Sequence, residues 1–535
     1  MKRLLLVLMT VASVSSAWAA ESLSEQQLAV RNLERALEMN DSIFDRMFSS
    51  PELYFYYDME TKQRRDLVSV WEFTAAIEAV NSVLEGLVAL KDEAPGLYDR
   101  YYGANVTRLN RLVNGLDYYK GTFTLVSYTG PNRWSPYGVH RSGTKGTAAV
   151  AGIENVYDDQ MWIIRELIRA YQLTGTRLFF TRAEELTAYV LDGWDCTLDP
   201  NGEEYGGITW GPGYTSKHAC SNSPLISPLV WLHEIYKENK QPATAKTSVD
   251  YYVLNADGER VAVTKDKVDY YLDFAKKIYA WQRKHIIDES KGVYYDGLWS
   301  VTGDITTRTV NGVEYRNHVQ SNAKPQGTYH TYNTGTMISG AADLYRATGD
   351  EYYLTELQTT ANKAATFFNR RFMGEDNVRY TTMLVAEVAG NPSKNGNPWF
   401  NQVLFRGFLA AAPYYTNVKS YMASYQAALD YGFDHFLWHG FLPVNLIEGW
   451  QDKDTKSCSV QYTFSRVSEY ALLVDYYKSL TGVKAVEDEK KTNDATLNVY
   501  TLDGRKMKGH VAKDASLAGL AKGLYLVGGQ KVAIR

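Results

Sequence analysis

The chain has 535 residues, 45% of them hydrophobic, with a formal net charge of −4 and no basic run. This balance argues against a nucleic-acid partner and supplies enough apolar material for a large core. Three cysteines, Cys196, Cys220 and Cys458, are too few for a disulfide framework. A Cys196–Cys220 bridge and buried free thiols both fit the sequence.

Met1-Lys2-Arg3, an apolar run from Leu4 to Val14 and the small-x-small Ala17-Trp18-Ala19 read as a signal peptide over 1–20. That run is too short to span a membrane, and no other stretch is long enough. The mature protein is therefore expected to be exported, to the periplasm, the outer surface or the medium. Amphipathic helices are predicted over Leu28 to Met47 and Val68 to Leu90. A third follows Asn155-Val-Tyr-Asp-Asp-Gln-Met-Trp162: Ile164, Leu167, Ile168 and Tyr171 form one buried stripe, and Arg165, Glu166 and Arg169 take the other face. Met337, Ala341, Leu344 and Tyr345 repeat the pattern. Gly175, Gly349 and Gly482 each follow a helical run and predict its end. Recurring helix–Gly–helix units suggest an α/α toroid, although the same pattern fits a solenoid.

Two β-hairpins interrupt the helices, Tyr251–Leu254 with Arg260–Val263 and Thr306–Val310 with Val313–Tyr315, the latter turning at Asn311-Gly312. His435 and His439 have the i, i+4 spacing of two metal ligands, but the sequence offers neither the Glu of the metalloprotease motif nor a third ligand. A polar linker is predicted over 483–496. Residues 497–535 read as a small β appendage resembling the C-terminal tails of exported Bacteroidetes proteins, some of which are sorting signals.

Asp158 and Asp159 carry the chemistry. Asp at a helix start caps free N–H groups. Two carboxylates among aromatics also supply what glycosidic bond hydrolysis needs, a proton donor and a nucleophile. Tyr205-Gly206-Gly207-Ile208-Thr209-Trp210-Gly211-Pro212 is a loop whose glycines admit a ligand close to the backbone, with Trp210 as a stacking face. Ala219-Cys220-Ser221-Asn222 and Tyr329 to Gly335, with Tyr332 and Asn333, lead into helices, and Asp296 lies in a further aromatic segment. If alternate helices line a barrel, these loops converge on one end. The sequence contains no GxSxG and no phosphate loop.

Taken together, Tyr157-Asp158-Asp159-Gln160-Met161-Trp162, Gly206-Gly207-Ile208-Thr209-Trp210, Ala219-Cys220-Ser221-Asn222, and Tyr332-Asn333-Thr334-Gly335 with Leu344 to Gly349 resemble glycoside hydrolase family 76. The resemblance runs from about Ser24 to Gly482, so 21–482 is expected to form the catalytic domain. It implies an all-α (α/α)6 barrel, here with β-hairpin insertions, and retaining, usually endo-acting hydrolysis of α-1,6-mannosidic bonds in mannan, with no metal or cofactor. It makes Asp158 the nucleophile and Asp159 the general acid/base. Tyr157, Gly206, Gly207, Trp210, Asn222, Asp296, Tyr332 and Asn333 are the expected substrate-binding residues. A monomer acting on α-mannan is expected.

Retention needs the carboxyl groups about 5–5.5 Å apart, whereas neighbours on a regular helix diverge by about 100°. The pair is therefore expected where the helix entrance is irregular, with the higher pKa on Asp159 and Asp158 ionised. The alternatives are a mannan-binding protein that does not cleave, or a toroid glycosidase or lyase of other specificity.

Overall fold

A computed structural model of the chain describes residues 23–383, 397–450, 457–489, 496–501, 506–512, 519–527 and 530–534. The predicted signal segment 1–20 lies outside them. The α-helices among these residues are α1 (Glu25–Met47), α2 (Val70–Ala89), α3 (Pro95–Gly115), α4 (Tyr157–Thr174), α5 (Arg177–Asp192), α6 (Ile226–Lys237), α7 (Lys267–His285), α8 (Thr331–Thr348), α9 (Glu351–Phe368), α10 (Pro398–Ala411), α11 (Val418–Phe436) and α12 (Val460–Glu489). The even-numbered helices close a ring, α2 on α4, then α6, α8, α10, α12 and back to α2. Outside it α3 backs α2, α5 backs α4, α7 backs α6, α9 backs α8, α11 backs α10 and α1 backs α12. This is the (α/α)6 barrel expected from the sequence. Because outer and inner helices alternate along the chain, the inner helices run the same way and their N-termini share one face.

Local chemistry fixes the helix ends. Glu72 reaches back to the Ser69 N–H at 2.8 Å to start α2, and Asn397 accepts from the Trp399 and Phe400 N–H groups at the Pro-initiated start of α10. Gly175 and Gly349 end α4 and α8 with left-handed φ of 68° and 69°. Gly482 does not end its helix: α12 runs on to Glu489, seven residues into the expected linker.

The charged face of α4 does not meet solvent. Arg165, Glu166 and Arg169 are 4%, 2% and 4% exposed. Arg169 bonds Glu166 at 2.7 Å and Glu85 at 2.6 Å, and Arg406 of α10 bonds Glu78 of α2 at 2.8 Å. α2 and α10 are separated in the ring by α12, so that last bond spans the barrel interior between two helices that are not ring neighbours. Burial pushes the Glu78 carboxyl up, but Arg406, Arg165 and Arg169 outweigh it and hold the group below its ordinary value.

Both predicted hairpins are present, Ser248–Leu254 with Arg260–Asp266 and Thr307–Val310 with Val313–Arg316. Residues Thr496–Thr501, Lys506–Ala512, Gly523–Val527 and Gln530–Ile534 form a separate antiparallel sheet over a small core of Val499, Tyr525 and Val527. Helix α11 ends at Phe436, so His439, with φ of 53°, is off the helix and the two histidines do not share a helix face. All three cysteines are buried and free, so Cys196 and Cys220 form no bridge.

Candidate active site

The shared face of the inner helices holds a cleft of about 590 Å³. The second residue of four inner helices reaches it: Trp71 of α2, Asp158 of α4, Tyr332 of α8 and Trp399 of α10. Cα–Cβ bonds tilt toward a helix's N-terminus, so first-turn side chains project past the helix end. The same tilt carries Asp159 into the cleft beside Asp158. No irregular backbone is needed: α4 is regular from Tyr157, Val156 holds the cap position, and neither aspartate is the cap. This replaces the expectation of a broken helix entrance.

The aspartates sit in an aromatic frame. Trp162 packs edge-on against Trp399 at 4.8 Å, Trp71 against Trp399 at 5.3 Å, and Tyr332 against Phe400 at 4.5 Å. Trp162 Nε1 donates to Asp158 Oδ1 at 2.8 Å, and Trp399 Nε1 donates to Glu78 at 3.0 Å, tying the cleft floor to the buried ion network. Burial pushes the Asp158 carboxyl up to about 6, offset in part by Cys220, Trp162 and Trp210, which favour its charged form. Asp159 is raised further, by burial and then by the charges of Asp158 and Glu72. This ordering makes Asp159 the member of the pair that keeps its proton to higher pH.

Of the residues proposed from sequence, Asp158, Asp159, Trp210, Asp296 and Tyr332 line the cleft. The other five do not. Tyr157 is 1% exposed and packs on Tyr189, with centroids 5.0 Å apart. Gly206 and Gly207 have φ of 69° and 74°, and a Cβ on Gly207 would lie 2.3 Å from the Trp281 ring. They admit a buried indole, not a ligand. Asn222 clamps a turn: its Oδ1 accepts from Ile208 N–H at 2.8 Å, and its Nδ2 donates to the Ile208 and His218 carbonyls. Asn333 is fully buried and donates to the Tyr295 carbonyl at 3.0 Å.

Trp71, His140, Tyr214, His218, Trp399 and Phe400 also line the cleft and were not foreseen. His218 Nδ1 lies 3.3 Å from Asp296, and its ring packs against Trp210 and Trp299. The missed signal is positional. Ser69-Val70-Trp71 and Asn397-Pro398-Trp399 are helix starts of the same kind as the one carrying the aspartates, and knowing which helices are inner singles them out. Among the described residues that line the cleft, none is Lys or Arg, whereas Glu154, Asp158, Asp159 and Asp296 are present.

The fold is a toroid whose inner-helix N-termini bring paired carboxylates into an aromatic cleft. Residues 256–431 match the family model described as glycosyl hydrolase family 76. The matched segment lies C-terminal to the aspartate pair. A mannan endo-1,6-alpha-mannosidase of Candida glabrata is 31% identical over 107 residues, 20% of this chain and 20% of that protein, so the match spans a fifth of this curated relative. In fold the chain is similar to a family 76 glycoside hydrolase (mannosidase) from Bacteroides thetaiotaomicron, with 19% identity over 83% of this chain and 98% of that one and a TM-score of 0.56. It is also similar to an inactive variant of an alpha-1,6-mannanase from a Salegentibacter species, with two adjacent Asp-to-Asn changes and in complex with alpha-1,6-mannotriose: 17% identity, 83% and 99% coverage, TM-score 0.52.

Proposed function

We propose that the protein is an exported, retaining endo-hydrolase of α-1,6-mannosidic bonds in mannan, working as a monomer without metal or cofactor. The observation that carries this reading is the pairing of Asp158 with Asp159 in one aromatic cleft, the second holding its proton more tightly than the first. Ionised Asp158 attacks the anomeric carbon as Asp159 protonates the departing glycosidic oxygen, giving a glycosyl ester. Asp159, now a base, takes a proton from the water that releases the sugar with its configuration retained. Aromatic faces suit the apolar side of a hexose, and carboxylates accept from its hydroxyls. The relatives named above for action on α-1,6-mannan support the linkage. The carboxylates among the described lining residues disfavour a lyase, whose anionic polymer they would repel. Export rests on the sequence of residues 1–20.

The test is linear α-1,6-mannan incubated with wild type, Asp158→Asn and Asp159→Asn, with the anomer of the first product read by proton NMR. Oligosaccharides released as the α-anomer by wild type alone are the expected result. Binding without release sinks the hydrolase reading, and an unsaturated product end replaces it with a lyase.

A further inference from the structure

The second hairpin insertion reaches the cleft through one side chain. We infer that Arg316, at its end, is a positioning residue for the cleft wall formed by Trp210 and Tyr214, and through that wall for substrate stacking beside Asp158. Arg316 is 3% exposed, and its guanidinium donates to the Pro212 carbonyl at 3.0 Å and the Tyr214 carbonyl at 2.5 Å. Two carbonyls two residues apart, held by one rigid fork, fix the local backbone path. Across the wall, Gly213 packs so closely on Gly152 that a Cβ would lie 2.4 Å from the Gly152 carbonyl carbon.

The held segment presents Trp210 and Tyr214 to the cleft, their rings 4.7 Å apart. It is also bonded to the catalytic helix, because the Trp210 carbonyl accepts from Tyr157 N–H at 2.8 Å, one residue before Asp158. The hairpin is itself braced: Arg308 Nη2 lies 3.4 Å from the Gly258 carbonyl in the turn of the first hairpin. Arg316 thus touches no substrate and acts on the rings that would.

The substrate-stacking half of this inference rests on the mannanase reading; the wall-holding half does not. The experiment separates them. Hydrogen exchange of wild type, Arg316→Ala and Arg316→Lys is followed at the Trp210 and Tyr214 amides, which bond the Ser216 and Gly211 carbonyls. Exchange at least about tenfold faster there in Arg316→Ala, partly restored in Arg316→Lys and unchanged in the inner helices, is expected. Unchanged exchange at the wall, or faster exchange throughout, overturns the positioning role. On linear α-1,6-mannan, Arg316→Ala is expected to raise KM by about tenfold with kcat within about threefold. Adding Tyr214→Ala should then raise KM little further, because both changes act on one element. Additive effects, or a fall confined to kcat, overturn the stacking role; a wild type that cleaves no mannan overturns the mannanase reading and this half with it, leaving the exchange result to decide the wall.

Discussion

Replacing Trp162 by Phe isolates what one hydrogen bond does for Asp158, the proposed nucleophile. Phenylalanine keeps a ring against Trp399, at 4.8 Å in the native pair, and deletes the 2.8 Å bond from Nε1 to Asp158. A hydrogen bond to an ionised group contributes about 1.5–3 kcal/mol, and one pKa unit corresponds to about 1.36 kcal/mol. With part of the loss made good by water and by Cys220, the Asp158 pKa should climb by about one unit from its value of about 6. The bond favours the carboxylate, so losing it moves the acidic limb of the kcat/KM profile toward higher pH, from about 6 to about 7. At pH 6 the ionised fraction falls from about one half to about one tenth, a loss of about fivefold, whereas at pH 8 the two enzymes should agree within about 20%. The assay is reducing-sugar release from linear α-1,6-mannan between pH 4.5 and 8.5. A limb that stays in place or moves toward acid refutes the assignment of Asp158 as the group ionised for attack. A uniform loss at every pH would make Trp162 a packing residue only.

Gly207→Ala should destabilise by about 3 kcal/mol without touching the chemistry, since it combines φ of 74° with a Cβ 2.3 Å from the Trp281 ring; the urea midpoint should fall with the m-value unchanged. Asp159→Asn should raise Tm by roughly 2 °C at pH 8 and not at pH 4. The folded-state pKa of Asp159 lies above its unfolded value, so the stability it contributes is complete below the unfolded pKa and is lost as pH rises. A gain at pH 4 that vanishes at pH 8 would reverse the sign and refute the raised pKa.

Much of the fold is legible in local chemistry. The stripe Ile164, Leu167, Ile168 and Tyr171 marks α4, Gly175 and Gly349 mark two ends, and Asn311-Gly312 marks a hairpin turn, with φ of 48° and 79° at its two residues. Each of these depends on residues within about one turn of itself. Gly482 misleads, because α12 runs past it to Glu489. Asp158, Asp159, Trp210, Asp296 and Tyr332, singled out in the sequence, line the cleft. Asn222, Asn333 and the Gly206-Gly207 pair are misread because a polar or glycine residue near a cleft looks the same whether it holds a ligand or its own backbone. Only the bonds Asn222 makes to Ile208 and His218 separate the two.

The sequence by itself determines which segments are helices, where most stop, and that two carboxylates begin one of them, because these follow from periodicity, capping and backbone conformation. Ring closure is decided only in the tertiary structure. It turns Arg165, Glu166 and Arg169 inward, where a charged helix face would otherwise meet water. It also gathers the second residues of four inner helices into one cleft. Trp71 and Trp399 lie more than 300 residues apart in the chain, yet their ring centroids are 5.3 Å apart. No local signal encodes that distance, because it depends on how six helices close on one another.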